Sequence, residues 1–250
     1  MFAIIGGSGL AKLTNLEVSK RQVMRTPYGE PSGALTFGQI NGVDVVFFAR
    51  HGYGHTIAPH EINYRANLWA LHALDVDGII SIASVGGIRQ DMQPGTLVIP
   101  DQIIDYTFGR KHTFFEGPEQ PVNHIDFTQP YSEELRAHLF AAVDGVSEAC
   151  VLGATYACTQ GPRLETAAEI RRLERDGADI VGMTGMPEAA LARELGLKYA
   201  TLAIVANWAA GKGDSRETVS KEGIQQTLEQ AMHRVRKILV AFVAQPVSVD

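Results

Sequence analysis

Three stretches of this chain are apolar almost throughout, and each runs directly into small or polar residues. Phe2-Ala3-Ile4-Ile5 leads into Gly6-Gly7-Ser8-Gly9, residues 78–83 lead into Ser84-Val85-Gly86-Gly87, and residues 199–206 deliver Asn207 and Trp208. Short apolar runs bounded by such loops are the pattern of strands covered on both faces. The covering layers are legible too. Helical spacing of apolar residues marks 62–74, 132–142, 166–175, a segment from Pro187 through Leu195, and 217–240. With 250 residues and 45% hydrophobic content, the chain suits one α/β domain spanning 1–250. Asn41-Gly42 joins two strand-like stretches, 34–40 and 43–49, as a hairpin turn, which makes the expected sheet mixed.

Charge and composition narrow the partners. The net charge is −6 with no long Lys/Arg cluster, which argues against nucleic acid and anionic membrane surfaces. An anionic small molecule then needs locally placed donors. No apolar run reaches membrane-spanning length, and the N-terminus lacks a signal-peptide pattern, so the expected location is cytoplasmic. Residues 149–159 read as one strand, which sets Cys150 and Cys158 about 25 Å apart and excludes a disulfide between them if the strand is continuous.

Candidate site residues sit where strand-like runs end, the place where open α/β sheets bind ligands. The loop after residue 5 offers backbone N–H groups and the Ser8 hydroxyl to an anion, or is only a tight turn. Its glycine spacing is not a dinucleotide fingerprint, and no Walker A pattern occurs. Ser84 repeats the same choice between anion donor and turn cap. Arg50 and His51 follow the strand at 43–49, and a guanidinium at a strand end suits phosphate oxygens. His51, His55 and His60 are alternatively metal ligands, or loop histidines satisfied by neighbours. The stretch Gln160-Gly161-Pro162-Arg163-Leu164-Glu165-Thr166 places a turn, an arginine and a glutamate between a strand and a helix. Met183 and Thr184 follow another strand, at 178–182. Residues 96–104 read as a strand, and the aperiodic 105–129, with His112 and His124, has the length of a functional or neighbour-contacting loop.

Taken together, Gly6-Gly7-Ser8-Gly9-Leu10, Ala49-Arg50-His51-Gly52, His55-Thr56-Ile57, the run from Asn63 through Leu71, Gly161-Pro162-Arg163, Gly182-Met183-Thr184 and Pro187-Glu188 resemble the methylthioadenosine phosphorylase branch of the trimeric purine nucleoside phosphorylases. The resemblance extends over nearly the whole chain, in order. It implies a single α/β domain around a twisted mixed β-sheet flanked by helices, a homotrimer, and reversible phosphorolysis of a nucleoside N-glycosidic bond. Inorganic phosphate is then a co-substrate, with no cofactor and no metal. Phosphate would be held by Ser8, Arg50, His51, Ser84 and Thr184. A threonine of the family just before the Ser84 position is Ala83 here, so one phosphate hydrogen bond is absent or supplied by Ser84. Met183 would lie against the ribose and Leu164 against the base.

Two departures bear on the base. Relatives acting on 6-aminopurines carry a Ser near the Glu165 position, an Asp at the Asn207 position and a second Asp where this chain has Ala209. Glu165 and Asn207 are similar instead to the pair of the 6-oxopurine enzymes. Hypoxanthine bears a hydrogen on N1 that a carboxylate accepts, whereas adenine N1 is itself an acceptor. The Asn207 amide can donate to O6 and accept from a protonated N7. Outside the resemblance, Glu165 reads rather as a helix cap and Asn207 as a strand end. The 5′ pocket is expected from Val219, Ile224 and a neighbouring subunit's His124, with Lys221 a nearby charge without a role. The sequence, ending at Asp250, is expected to lack the C-terminal tail of some relatives.

The reaction expected is conversion of 5′-methylthioinosine and phosphate to hypoxanthine and 5-methylthioribose 1-phosphate, with Asn207, Glu165 and His51 closest to the chemistry. The alternatives are a methylthioadenosine phosphorylase, a broader 6-oxopurine nucleoside phosphorylase, a metal-dependent hydrolase using His51, His55 and His60, and a non-catalytic nucleoside-binding protein.

Overall fold

A computed structural model describes residues 1–10, 13–118 and 120–245. Its strands are β1 (Phe2–Gly6), β2 (Glu17–Gln22), β3 (Leu35–Ile40), β4 (Val43–Ala49), β5 (Gly78–Gly87), β6 (Leu97–Ile99), β7 (Gln102–Asp105), β8 (Cys150–Leu152), β9 (Thr155–Cys158), β10 (Ile180–Gly182) and β11 (Tyr199–Trp208). The helices are α1 (Tyr64–His72), α2 (Glu133–Gly145), α3 (Ala167–Arg175), α4 (Glu188–Glu194) and α5 (Lys221–Ala244). Among the described residues all eleven strands join one mixed sheet, as expected for this α/β fold.

Strand alternation explains the uninterrupted apolar runs. Ala3 and Ile5 of β1, Ile79 of β5 and Tyr199 and Ala203 of β11 pack on one face with Leu68 and Leu71 of α1 and Leu191 of α4. Phe2, Ile4, Ile80, Ile82, Leu202 and Ile204 point the other way, against Leu139 of α2 and Val235 and Leu239 of α5. Each fully buried Leu or Ile contributes roughly 1.5–3 kcal/mol relative to exposure, which is why both faces of these strands are predominantly apolar. The Asn41-Gly42 hairpin forms as expected: β3 and β4 pair antiparallel, and both turn residues have positive φ, 50° and 80°.

β5 organises the site. Its first half lies between β1 and β11, both parallel to it, while its second half exchanges β1 for the antiparallel β10. Gly86 consequently has Val181 opposite on one side and Asn207 on the other. The β5–β11 register shifts between Val205 and Asn207, so a bulge at Ala206 re-aims the end of β11. β1 and β4 end level, with Gly6 opposite Ala49, which brings Ser8 near Arg50.

Several expectations are corrected. Ser84, Val85, Gly86 and Gly87 are strand, not loop, because β10 and β11 supply partners that no local signal announces. The run 149–159 is two strands, β8 and β9, separated at Gly153, whose φ of 95° breaks the extension. The argument from a continuous strand therefore does not hold, although both cysteines are free thiols. The run 96–104 divides likewise into β6 and β7 around Pro100 and Asp101. The first strand of the hairpin also gains an outer neighbour, β2, whose six residues are all exposed and therefore carry no hydrophobic signal. Helix α1 buries Leu68 and Leu71, keeps Trp69 half-buried against the same core and exposes Ala73.

Candidate active site

A cavity of about 450 Å³ opens where β1, β4, β5, β10 and β11 end. Its wall includes Ser8, Arg50, His51, Ser84, Leu164, Glu165, Met183, Thr184, Asn207, Val219 and Ile224. These are eleven of the twelve residues expected from the sequence. The twelfth, His124, is exposed and outside this wall, as is Lys221. Residues 246–250, on which the expectation of a missing tail falls, lie outside the described residues.

One end of the cavity gathers backbone donors and positive charge. The Gly7-Ser8-Gly9-Leu10 turn is closed by the Leu10 N–H donating to Gly7 O at 3.0 Å. A side chain at Gly7 would come within 2.4 Å of Ile82 O and 2.8 Å of Arg50 Nη1, so only glycine lets this backbone approach the guanidinium. Ser84 Oγ donates to Ser8 O at 3.0 Å and ties the turn to β5. In this arrangement the Ser84 hydroxyl proton serves the loop and not the cavity, which leaves the Ala83 departure uncompensated by it. Thr184 is buried at the end of β10.

Arg50 is fully buried, and its fork faces backward, not toward the cavity. Nε and Nη2 donate to Glu188 at 3.0 and 2.8 Å, Nη1 donates to Ile82 O at 2.8 Å, and Nη2 also donates to Ser81 Oγ at 2.5 Å. Burial opposes its charge, but the Glu188 carboxylate outweighs that and holds its pKa above the ordinary value. Four of the five guanidinium hydrogens are thus engaged, and Nη1 keeps one. With Nε and Nη2 both committed to Glu188, the guanidinium offers an anion its positive charge and a single free donor.

His51 stands beside it with Nδ1 2.9 Å from Ile57 O. A carbonyl only accepts, so Nδ1 carries the hydrogen and Nε2 is the free nitrogen of the neutral ring. Burial, with Arg50 and His55 adding to it, lowers the His51 pKa to about 4 against the opposing pull of the Ile57 carbonyl. The His55 ring lies 4.6 Å away, while His60 is exposed. Among the described residues no group of three His, Cys, Asp or Glu side chains is arranged to hold a metal ion.

The other end is built from α3, β10 and the bulged end of β11. Thr166 and Glu169 form a reciprocal capping box on α3, so the helix is capped without Glu165. Glu165 instead accepts from Thr159 Oγ1 at 2.6 Å through Oε1, leaving Oε2. Asn207 Nδ2 donates to Trp208 O at 2.6 Å, which leaves Oδ1 and one amide hydrogen. Sequence reasoning gave no role to Glu188, which carries no pattern beyond following Pro187, nor to Arg110, whose segment is aperiodic. Leu228, which completes an apolar wall with Val219 and Ile224, was hidden in the ordinary stripe of α5.

A model of the phosphorylase superfamily matches residues 1–244. The chain is 52% identical over 241 residues to a protein of Pseudomonas syringae pv. tomato named "Probable S-methyl-5'-thioinosine phosphorylase", covering 96% of each chain. It is 45% identical over 246 residues to the 6-oxopurine nucleoside phosphorylase of Pyrococcus furiosus, covering 96% of this chain and 91% of that one. The solved methylthioadenosine phosphorylase of Schistosoma mansoni in complex with adenine superposes with a TM-score of 0.92 at 34% identity, over 97% of this chain and 90% of the other. The chain therefore belongs to the phosphorylase superfamily, as the motif resemblance implied. Within it, the protein is an enzyme of the pentosyltransferase class.

Proposed function

We propose that this enzyme converts 5′-methylthioinosine and inorganic phosphate to hypoxanthine and 5-methylthioribose 1-phosphate. The observation that carries this reading is the meeting of Glu165 and Asn207 with Ser8, Arg50 and Thr184 in one cavity. The first two complement a 6-oxopurine and the others an anion. The names of the Pseudomonas and Pyrococcus relatives agree with a 6-oxopurine base.

In this reading phosphate binds against the Gly7-Ser8 turn, Arg50 Nη1 and Thr184. Bond breaking at the anomeric carbon develops positive charge on the sugar, and the anion beneath it stabilises that charge without a covalent enzyme intermediate. Met183 lies along the ribose. Asn207 accepts from protonated N7 and donates to O6, while Oε2 of Glu165 accepts from N1–H. Adenine would place an acceptor against that carboxylate, and such a buried mismatch costs about 1–3 kcal/mol. Val219, Ile224 and Leu228 give the 5′ substituent an apolar wall, which suits a methylthio group better than a hydroxyl left without a partner.

The reading includes a homotrimer in which His124 of a neighbouring copy reaches the 5′ group, and a cytoplasmic location. Inorganic phosphate serves as co-substrate and no cofactor takes part. No helix among the described residues is long and apolar enough to cross a membrane. Assaying 5′-methylthioinosine, methylthioadenosine, inosine and adenosine side by side, with and without phosphate, tests the reaction and the base assignment. Phosphate-dependent hypoxanthine release from methylthioinosine is the expected result. Equal or faster turnover of methylthioadenosine would overturn the base assignment, and turnover without phosphate would overturn phosphorolysis. Inosine turned over as well as methylthioinosine would support a broader 6-oxopurine enzyme.

A further inference from the structure

Arg110 belongs to no helix or strand, yet its side chain is buried and reaches both loops that form the base and sugar side of the cavity. Nη2 donates to Thr159 O at 3.3 Å and to Gln160 O at 2.8 Å. Nη1 donates to Met183 O at 2.9 Å, Met186 O at 2.6 Å and Tyr64 Oη at 3.2 Å. Nε donates to Gln160 Oε1 at 3.1 Å. All five guanidinium hydrogens are accounted for by neutral acceptors, four of them backbone carbonyls. A buried cation answered by dipoles and by no carboxylate among the described residues is a costly arrangement, and Leu or Met would fill the same space without that desolvation.

The two loops meet at close range. Gly161 has φ 62°, and a side chain there would come within 2.5 Å of Met183 Sδ. Gly182 O accepts from the Thr159 N–H at 2.8 Å, and its Oγ1 lies 3.3 Å away. In a trans peptide the carbonyl and the following N–H point in opposite directions, so the Gly182 carbonyl held toward Thr159 turns the Met183 N–H away from it. Thr159 Oγ1 in turn holds Glu165. The guanidinium clamps Thr159, Gln160, Met183 and Met186 together on one rigid plane, a geometry an ammonium group cannot reproduce.

We infer that Arg110 is a positioning residue for nucleoside recognition: by gathering the carbonyls of the 159–161 and 183–186 loops, it fixes Glu165 and Met183 relative to each other. Arg110 acts through these loops and does not reach the reacting atoms. The inference rests on the nucleoside reading of the cavity for its kinetic consequence, while its structural content is separately measurable.

The test compares wild type with Arg110→Gln and Arg110→Lys in the full chain. Two quantities are measured: steady-state kinetics with methylthioinosine and phosphate varied separately, and amide hydrogen exchange of the peptides covering 155–166 and 180–187. Arg110→Gln is expected to lower kcat/KM for the nucleoside at least 30-fold with the KM for phosphate within 3-fold of wild type. Both loops should exchange at least 10-fold faster while β1 and β5 stay protected. Arg110→Lys should recover less than a tenth of the lost kcat/KM. Unchanged exchange in both loops would overturn the inference, as would an equal rise of both KM values. If Arg110→Gln does not fold, Gln160→Ala and Tyr64→Phe each remove one of these contacts, and faster exchange in the loops is again required. Wild-type enzyme without phosphorolytic activity would count against the proposed function alone, since the exchange measurement still decides the clamp.

Discussion

Glu188 closes around the back of Arg50. Its Oε2 accepts from Nε at 3.0 Å and its Oε1 from Nη2 at 2.8 Å, while Ser81 Oγ and Tyr199 Oη each donate to Oε1 at 2.8 Å. Both partners are fully buried. The carboxylate aims the guanidinium, leaving Nη1 as the part that faces the anion end of the cavity. Removing one member of such a pair leaves the other charged and buried, at a cost of about 3–5 kcal/mol. Glu188→Ala is accordingly expected to lower unfolding free energy by that amount in urea titration and to raise the KM for phosphate at least 10-fold. Glu188→Gln should lie between, because the shape survives and the charge does not. A KM for phosphate unchanged in both variants would show that Arg50 needs no aiming.

His51 is expected to make stability and phosphate affinity answer to pH in opposite ways. The unfolded chain protonates this imidazole near 6.5, the folded one only near 4, so the proton goes to the unfolded state throughout that window. Stability is therefore lost as pH falls from 6.5 and the loss is complete below 4, by up to ~3 kcal/mol. His51→Gln should remove this part of the acid sensitivity, measured as urea midpoints from pH 7 to pH 4. A phosphate anion beside Nε2 favours the protonated ring. Calorimetry in buffers of different ionisation enthalpy should show net proton uptake on phosphate binding in wild type and less in His51→Gln.

Thr159 and Asn207 separate orientation from recognition. Thr159→Val removes the hydroxyl that holds Glu165 and leaves the carboxylate in place. Loss of one such bond is worth about 1–1.5 kcal/mol, so kcat/KM for a 6-oxopurine nucleoside should drop roughly 10-fold. Asn207→Asp replaces the amide donor by a second acceptor and should weaken 6-oxopurine turnover more strongly, shifting preference toward the 6-amino base. Unchanged ratios of methylthioinosine to methylthioadenosine turnover would show that Asn207 does not read the base.

Thr166→Ala addresses the competing role once open to Glu165. Thr166 and Glu169 already cap α3, and the loss of the hydroxyl should cost about 1 kcal/mol in thermal or urea unfolding. Base preference should stay as in wild type, because Glu165 takes no part in the cap. A shift in base preference comparable to that of Asn207→Asp would mean that helix and base wall are one unit.

Local chemistry made much of the protein legible. Apolar runs such as 2–5 and 199–206 must be covered on both faces, and that requirement predicts a sandwiched sheet before any contact is known. Asn41-Gly42 specified its hairpin because those two residues tolerate positive φ. The start of α3 near Thr166 was legible, but its cap was not: Thr166 and Glu169 form it, where the sequence had left that role open to Glu165. Ser8, Arg50, His51, Met183 and Thr184 could be singled out because each follows a strand-like run, whereas Val219 and Ile224 came only from the family resemblance.

Other features were decided by partners remote in sequence. Ser84 through Gly87 are strand because β10 and β11 arrive on either side, and Asn207 faces the cavity through a bulge that no local pattern encodes. The direction of Arg50 depends on Glu188, which is 138 residues away. Arg110 reaches carbonyls of two loops, at Thr159, Gln160, Met183 and Met186, from a segment without periodicity. The sequence by itself determined the sheet, its covering helices and the side chains available to Ser8, Glu165 and their neighbours, because burial and turn geometry are short-range demands. Which hydrogen of Arg50 is left for an anion, and which residues hold Glu165 in place, only the tertiary structure decided, because hydrogen-bond donors are finite and their allocation depends on what the whole fold brings within about 3 Å.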